Sequence, residues 1–182
     1  MTEIAAMIAQ DLLSIQAVTL RPNAPFTWAS GIHSPIYTDH RLTISYPQVR
    51  QRLATGIADI IQSPYPDTEV IAGVATAGIP HAAWVAQILD LPLIYVRSKP
   101  KDHGAGRQIE GVLEAGAKVV MLDDLISTGG SVLQAAKAVQ AEGGDIQAVG
   151  SSFSYGLDAA TTNFAAAELP LFSLTNYTTL IK

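Results

Sequence analysis

Ile4, Ile8, Leu12 and Ile15 return at helical spacing behind Thr2, a residue suited to capping, and predict an opening amphipathic helix. Between residues 21 and 46 that period disappears. Pro22, Pro25, Gly31 and Pro35 leave only short extended runs such as Ile36-Tyr37-Thr38, which predicts a loop-rich hood over residues 21–46, formed with the N-terminal helix. Pro47 suits a helix start, and Val49, Leu53, Ile57, Ile60 and Ile61 give the next helix its apolar face, ending at residues 63–66. The pattern then alternates. Residues 69–74 read as strand, 79–89 as helix, 93–97 as strand and 98–111 as a polar, glycine-containing loop. A strand at 118–122, a helix at 131–141 stopped by Gly143-Gly144, and a strand at 146–154 follow. Residues 158–168 and 175–180 supply a further helix and a helical tail around a strand at 171–174. Buried apolar strands alternating with helices predict an α/β fold with a parallel sheet flanked by helices on both faces. No repeat or interdomain linker appears, so residues 1–182 are expected to form a single domain.

Composition removes whole classes of function. Eleven basic against 16 acidic residues give a net charge of -5, which opposes broad attraction to nucleic acid or an anionic membrane, so neither is an expected partner. With 48% apolar and 15% charged residues the chain lies far from the composition of disordered segments. Cys is absent, which excludes disulfide scaffolds, thiolate nucleophiles and Cys-ligated zinc, and fits a reducing cytoplasm. The start Thr2-Glu3-Ile4 lacks the basic, then apolar, pattern of a signal peptide. Residues 72–96, the most membrane-like stretch, are broken by Pro80, His81, Gln87, Asp90 and Pro92.

The most specific chemistry lies at residues 119–131. Val119-Val120-Met121-Leu122 reads as a buried strand. Two adjacent carboxylates, Asp123 and Asp124, follow at its carboxyl end, and Ser127-Thr128-Gly129-Gly130-Ser131 opens the next helix. Ligands of open α/β sheets bind at that edge, and a helix N-terminus is a ready anion site. Gly129 and Gly130 permit close backbone approach to a phosphate, while Ser127, Thr128 and Ser131 add hydroxyl donors. Ionised carboxylates only accept hydrogen bonds, so the pair needs a polyol or a metal, and a ribose diol offers two donors. Helix capping and chain turning account for one Asp and one Gly, not for two acids and five consecutive small residues. A P-loop is excluded because no Gly-Lys-Ser/Thr is present, and the glycines 104, 106 and 111 miss the dinucleotide spacing.

Residues 119–131 resemble the ribose-phosphate signature of the type I phosphoribosyltransferases, which bind phosphoribosyl pyrophosphate (PRPP). The runs Phe26-Thr27-Trp28-Ala29-Ser30-Gly31, Ser34-Pro35-Ile36-Tyr37-Thr38-Asp39-His40-Arg41 and Arg97-Ser98-Lys99-Pro100-Lys101-Asp102-His103-Gly104 are similar to the orotate phosphoribosyltransferase family within that group. The resemblance implies a type I phosphoribosyltransferase-like core with a small N-terminal hood. It also implies transfer of the phosphoribosyl group from PRPP to N1 of orotate, in pyrimidine (UMP) biosynthesis. Asp123 and Asp124 would hold the ribose hydroxyls, and Leu125, Ile126, Ser127, Thr128, Gly129, Gly130 and Ser131 would cradle the 5-phosphate. Ala75, Thr76, Ala77 and Gly78, a second turn of small residues, would accept the pyrophosphate, with Arg97, Lys99, Lys101 and His103 bringing cationic or donor groups to it. Ser127, Phe26 and Thr27 would meet orotate. Lys101, His103 and Asp124 are the expected catalytic residues, with Mg2+ as cofactor carried mainly by substrate oxygens and no protein metal site.

The resemblance further implies a homodimer whose active sites are shared through the mobile loop 98–111. A basic run is commonly a solvated face, but this one lies between two strands at the ligand edge of an acidic chain, with Gly104, Gly106 and Gly111 suiting a lid. Ala29 and Ala77 stand where many relatives carry Lys, and residues 151–156 contain no Arg, so the orotate carboxylate has no assigned cation and falls to hood backbone N–H groups. His81 and Trp84 are expected in the core or an interface, and His33 and His40 on the hood surface. The rivals are a phosphoribosyltransferase for a purine or uracil, and a PRPP-sensing nucleic-acid regulator, against which the net charge argues.

Overall fold

The computed structural model describes residues 3–21, 23–27, 31, 33–99 and 107–181. Six strands form the main sheet: β5 (Val70–Val74), β6 (Leu93–Val96), β7 (Ile109–Glu110), β8 (Lys118–Ile126), β9 (Asp145–Ser154) and β10 (Leu171–Asn176), in the order β10-β9-β8-β5-β6-β7. All pairings are parallel except β6 with β7. The sheet is therefore mixed at one edge, because the chain leaving β6 folds straight back before it reaches β8.

Alternation along the strands explains the two cores. Val70, Ala72 and Val74 of β5 and Val119 and Met121 of β8 pack with Val132, Ala135 and Val139 of helix α4 (Gly130–Ala141) and with Phe164 of α5 (Asp158–Ala166). Ile71, Val120 and Leu122 face the other way. They pack with Leu12 of α1 (Glu3–Ser14), Leu53 and Ile57 of α2 (Pro47–Gln62) and Val85 of α3 (Gly78–Leu89). A strand buried on both sides reads as an unbroken apolar run, as these do. A last short helix, α6 (Tyr177–Leu180), follows β10 directly. Among the described residues no helix is long and apolar enough to cross a membrane.

The hood is more ordered than its sequence predicts, and it begins earlier, at Val18. Strand β1 (Val18–Leu20) pairs antiparallel with β4 (Ile36–Thr38), β2 (Phe26–Thr27) pairs with β3 (His33–Ser34), and a 3-10 helix runs from His40 to Ser45. It is tied to the core at two points: the Asp39 N–H donates to the Ala17 carbonyl at 2.8 Å, and the Thr38 N–H donates to the Tyr155 hydroxyl at 3.0 Å. Helix α1 is tied down by a bidentate Arg52–Asp11 pair at 2.7 and 2.6 Å.

Two further expectations change. Strand β8 does not stop at Leu122 but runs through both aspartates to Ile126, because the ten-residue β9 goes on pairing with it as far as Ile126 opposite Ser154. His40 is not on the hood surface but 1% exposed, its ring 5.7 Å from that of Phe153 and 6.4 Å from that of His81. The 3-10 helix turns that ring inward, where aromatic neighbours replace water. His81 is buried and Trp84 half-buried, in line with a core role.

Candidate active site

The strand order reverses at β5. From β5 the chain crosses by α3 to β6 on one side, whereas β8 lies on the other side and leads by α4 to β9. Because α3 and α4 cover opposite faces, a crevice opens beyond the carboxyl ends of β5 and β8, the usual ligand position in open α/β sheets. Both helices that start there lack a side-chain cap at their N-caps, Ala77 and Gly129. The first N–H groups of a helix have no intrahelical partner, so two sets of uncapped donors face one crevice.

Two contacts shape those turns. A Cβ on Gly78 would lie 2.5 Å from the Leu122 carbonyl oxygen and 3.0 Å from the Asp123 Cα, so only glycine lets α3 begin hard against β8. Gly129 has φ +82°, and a Cβ there would sit 2.5 Å from Phe164 Cε2. Helix α5 also holds this turn from below, since Asn163 Nδ2 donates to the Thr128 carbonyl at 2.9 Å.

Asp123 is 8% exposed and accepts the Asp124 N–H at 2.9 Å. Burial, and then the charge of Asp124, push its carboxyl well above the ordinary range. The Asp124 carboxyl is also raised by burial, while hydrogen bonds and the positive charge of Arg41 act against the shift. A buried carboxylate beside a half-buried one on the cavity wall is poised to accept hydrogen bonds from a ligand. Among the described residues no group of three or more His, Asp or Glu is placed to hold a metal ion.

A cavity of about 470 Å³ separates the hood from this edge. Asp124, Leu125 and Ser127 form its floor, Thr27, Tyr37 and Arg41 belong to the hood side, and Tyr155 closes one end. A second, water-sized cavity of about 60 Å³ brings Ala75 together with Arg97, Gln108 and Ser131. The base of the 98–108 connection is clamped there: the Arg97 N–H donates to the Gln108 carbonyl at 2.9 Å, and Gln108 Nε2 donates to the Arg97 carbonyl at 2.7 Å.

The phosphoribosyl transferase domain family matches residues 45–152. An orotate phosphoribosyltransferase of Lactiplantibacillus plantarum is 82% identical over 182 residues, which are 100% of this chain and 86% of that protein. The chain belongs to the orotate phosphoribosyltransferase family. The orotate phosphoribosyltransferase of Bacillus subtilis is 60% identical over 96% of this chain and 81% of its own length. In shape, the chain is similar to the crystal structure of orotate phosphoribosyltransferase from Aeropyrum pernix, with a TM-score of 0.82, 27% identity and 96% of each chain covered.

In this member of the orotate phosphoribosyltransferase family, residues 75–78 and 123–131 meet at one sheet edge although some 45 positions separate them. Arg97 reaches the same edge, and its Nη1 lies 3.9 Å from Glu110. Lys99 is exposed at the base of the loop, while Lys101 and His103 lie outside the described residues. Thr27 and Ser127 line the larger cavity. Phe26 does not line it; its ring packs 5.5 Å from that of Tyr37 with the Arg21 guanidinium 4.7 Å from its centroid. Sequence reasoning gave no role to Tyr37, Thr38, Asp39, Arg41 or Tyr155, all of which line this cavity. The first four sit within the run that carries the resemblance, so the signal was present; Tyr155 is 117 residues from its partner Thr38 and had none.

The buried histidines set a pH dependence of stability. Burial lowers His40 from 6.5 to about 3, with the nearby His81 adding to the shift, and burial lowers His81 to about 4. Both rings take a proton more readily in the unfolded chain, so their contribution is complete above pH 6.5, declines as pH falls below 6.5, and is fully lost only once pH has fallen through about 4 and 3. Asp123 and Asp124, with raised values, act in the opposite sense, so the informative quantity is a difference between variants. His40→Leu is expected to lose about 2 kcal/mol less than wild type between pH 7 and pH 5 in urea unfolding. Equal losses in the two proteins would contradict this account of His40.

Proposed function

We propose that the protein catalyses transfer of the 5-phosphoribosyl group from PRPP to N1 of orotate, giving orotidine 5'-phosphate and diphosphate in the synthesis of UMP. The observation that carries this reading is the Asp123–Asp124 pair, the first buried and the second half-buried on the cavity wall, set between two uncapped helix N-termini and a hood-covered cavity, in a chain of this family. In the reaction N1 bonds to C1 of the ribose as the C1–oxygen bond to diphosphate breaks, and the N1 proton is released. Positive charge grows on the ribose ring and negative charge on the leaving group, so positioning and electrostatic stabilisation supply the catalysis.

Asp123 and Asp124 accept the ribose hydroxyls and set negative charge near the ring. Backbone N–H groups and hydroxyls of residues 125–131 hold the 5-phosphate, and those of 75–78 receive the diphosphate. Arg97, Lys99, Lys101 and His103 neutralise the leaving group, with Lys101 and His103 as its catalytic stabilisers. Ser127 and hood residue Thr27 contact orotate. A Cys-free chain supports a cytoplasmic location.

Mg2+ is the proposed cofactor. Asp123 and Asp124 are hard oxygen donors that would suit it, and an ion of this kind, which keeps its waters, would rest mainly on substrate oxygens. When bound, the ion supplies charge neutralisation for the diphosphate. The quaternary proposal is a homodimer in which the 98–111 loop of each subunit serves its partner's site.

Asp124→Asn is expected to fold normally and to lose about tenfold to a hundredfold in kcat/KM, the worth of one charge-assisted hydrogen bond. Wild-type activity in the folded variant would remove Asp124 from the ribose contact. Chelator should abolish turnover while the melting temperature of the ligand-free protein stays constant; activity that survives exhaustive chelation would refute the magnesium proposal. Co-refolded Lys101→Ala and Asp124→Asn chains form mixed dimers in about half of all cases if pairing is random, and each mixed dimer then contains one intact site. About a quarter of wild-type activity should return from two nearly inactive parents. No recovery, with mixed dimers confirmed by native mass spectrometry, would mean that each loop serves its own subunit.

A further inference from the structure

We propose that Arg41 is the cation that receives the carboxylate of the pyrimidine substrate, oriented by Asp39, and that it sets the preference for a carboxylated over a neutral pyrimidine. This deepens the functional reading above and rests on it.

The argument starts from charge. Asp124 and Asp39 both line the 470 Å³ cavity and Asp123 lies beside it, so an anionic base enters a site whose fixed acids repel it. Charge repulsion of that kind must be offset by a cation facing the same space. Arg41 is the only Arg or Lys among the described lining residues. His40, also on the lining, is neutral because burial holds it near 3. The end of β9 offers no alternative: residues 151–156 contain no basic side chain, and Tyr155 is a neutral phenol whose hydroxyl accepts from Thr38.

Geometry then favours Arg41 as a carboxylate receptor. Its Nε donates to Asp39 Oδ1 at 2.7 Å and its Nη2 to Asp39 Oδ2 at 3.0 Å, a two-point fork that fixes the plane of the guanidinium. A guanidinium has five N–H donors, and this fork uses two of them on one edge. The end-on edge, with one N–H from each Nη, remains for a second carboxylate in the same planar two-point manner. The Arg41 side chain is 62% exposed, so it meets an incoming anion without first leaving an apolar pocket. Its charge also acts against the burial that raises the Asp124 carboxyl, which places both groups in the field of one cavity. Asp39 is a positioning residue here: it opens the 3-10 helix by accepting the Arg41 N–H and holds the side chain two residues on.

The test is steady-state kinetics of Arg41→Gln, Arg41→Lys and Asp39→Asn with orotate and PRPP varied independently. Arg41→Gln should raise the KM for orotate about tenfold to a hundredfold and leave the KM for PRPP within about twofold. Arg41→Lys should recover part of the loss, since the ammonium keeps the charge but not the fork. Asp39→Asn should raise the orotate KM by less than Arg41→Gln does. Turnover of, or inhibition by, uracil, which lacks the carboxylate, should not change, so discrimination against it narrows. An unchanged orotate KM in Arg41→Gln overturns the proposal, as do equal losses toward orotate, uracil and PRPP, which would mark a structural role. Lack of orotate turnover by the wild-type enzyme would instead overturn the functional reading and this inference with it. Circular dichroism melting of each variant identifies any misfolding. Should Arg41→Gln fail to fold, the orotate and PRPP KM values of Arg41→Lys decide the question by the same split.

Discussion

Gly78 begins α3 so close to the backbone of Leu122 and Asp123 that no other residue fits, and the crevice depends on this approach. It draws the uncapped N-terminus of α3 up to the strand that carries both acids, which brings residues 75–78 and the carboxylates to one crevice. A methyl group at Gly78 would have to move either α3, which is packed through Ala82, Val85 and Ala86 into the core, or β8, the central strand between β5 and β9. Neither can shift alone, because close-packed interiors transmit such displacements to their neighbours. The geometry of the ligand edge is therefore fixed by the same packing that stabilises the fold.

The acids are held at an energetic disadvantage that a ligand relieves. Burial raises both carboxyls, and each keeps acceptor capacity that the protein leaves unused. In the proposed reaction, a substrate bringing hydroxyl donors and positive charge in its transition state would restore what water would have supplied. Because the site is organised before the substrate arrives, it spends little reorganisation energy at the moment of reaction. The hood completes this arrangement. Its strand pair β1–β4 is short, and its position is set by Asp39 on Ala17 and Thr38 on Tyr155 rather than by a large core of its own.

Much of this was legible in residue order. The apolar runs of β5 and β8, buried on two faces, and the helical periods of α1 and α2 announced an α/β sheet, because burial on both sides demands residues of one kind. Asp123 and Asp124 followed by Ser127, Thr128 and two glycines announced a phosphate turn, since backbone donors, hydroxyls and small side chains are local properties. Local chemistry does not say where a strand stops when its partner goes on pairing, so β8 runs four residues beyond its apolar pattern. It does not show a two-residue return strand such as β7, whose pattern is too brief to have a period.

Other features exist only in three dimensions. His40 has the same sequence neighbours whether its ring faces water or Phe153, and the inward turn of the 3-10 helix decided it. Tyr155 acquires its place from Thr38, 117 positions away, and the support of the phosphate turn by Asn163 and Phe164 comes from a helix that follows it by more than thirty residues. Arg41 reads as one more hood residue until β4 and the 3-10 helix bring it across the cavity from Asp124. Residue order alone carries the layers of the fold and the hydroxyl- and glycine-rich chemistry of the 127–131 turn, because hydrophobic period and backbone freedom act over a few residues. Tertiary structure alone decided which cations, rings and hydroxyls share the cavity, because those distances depend on how separate elements pack together.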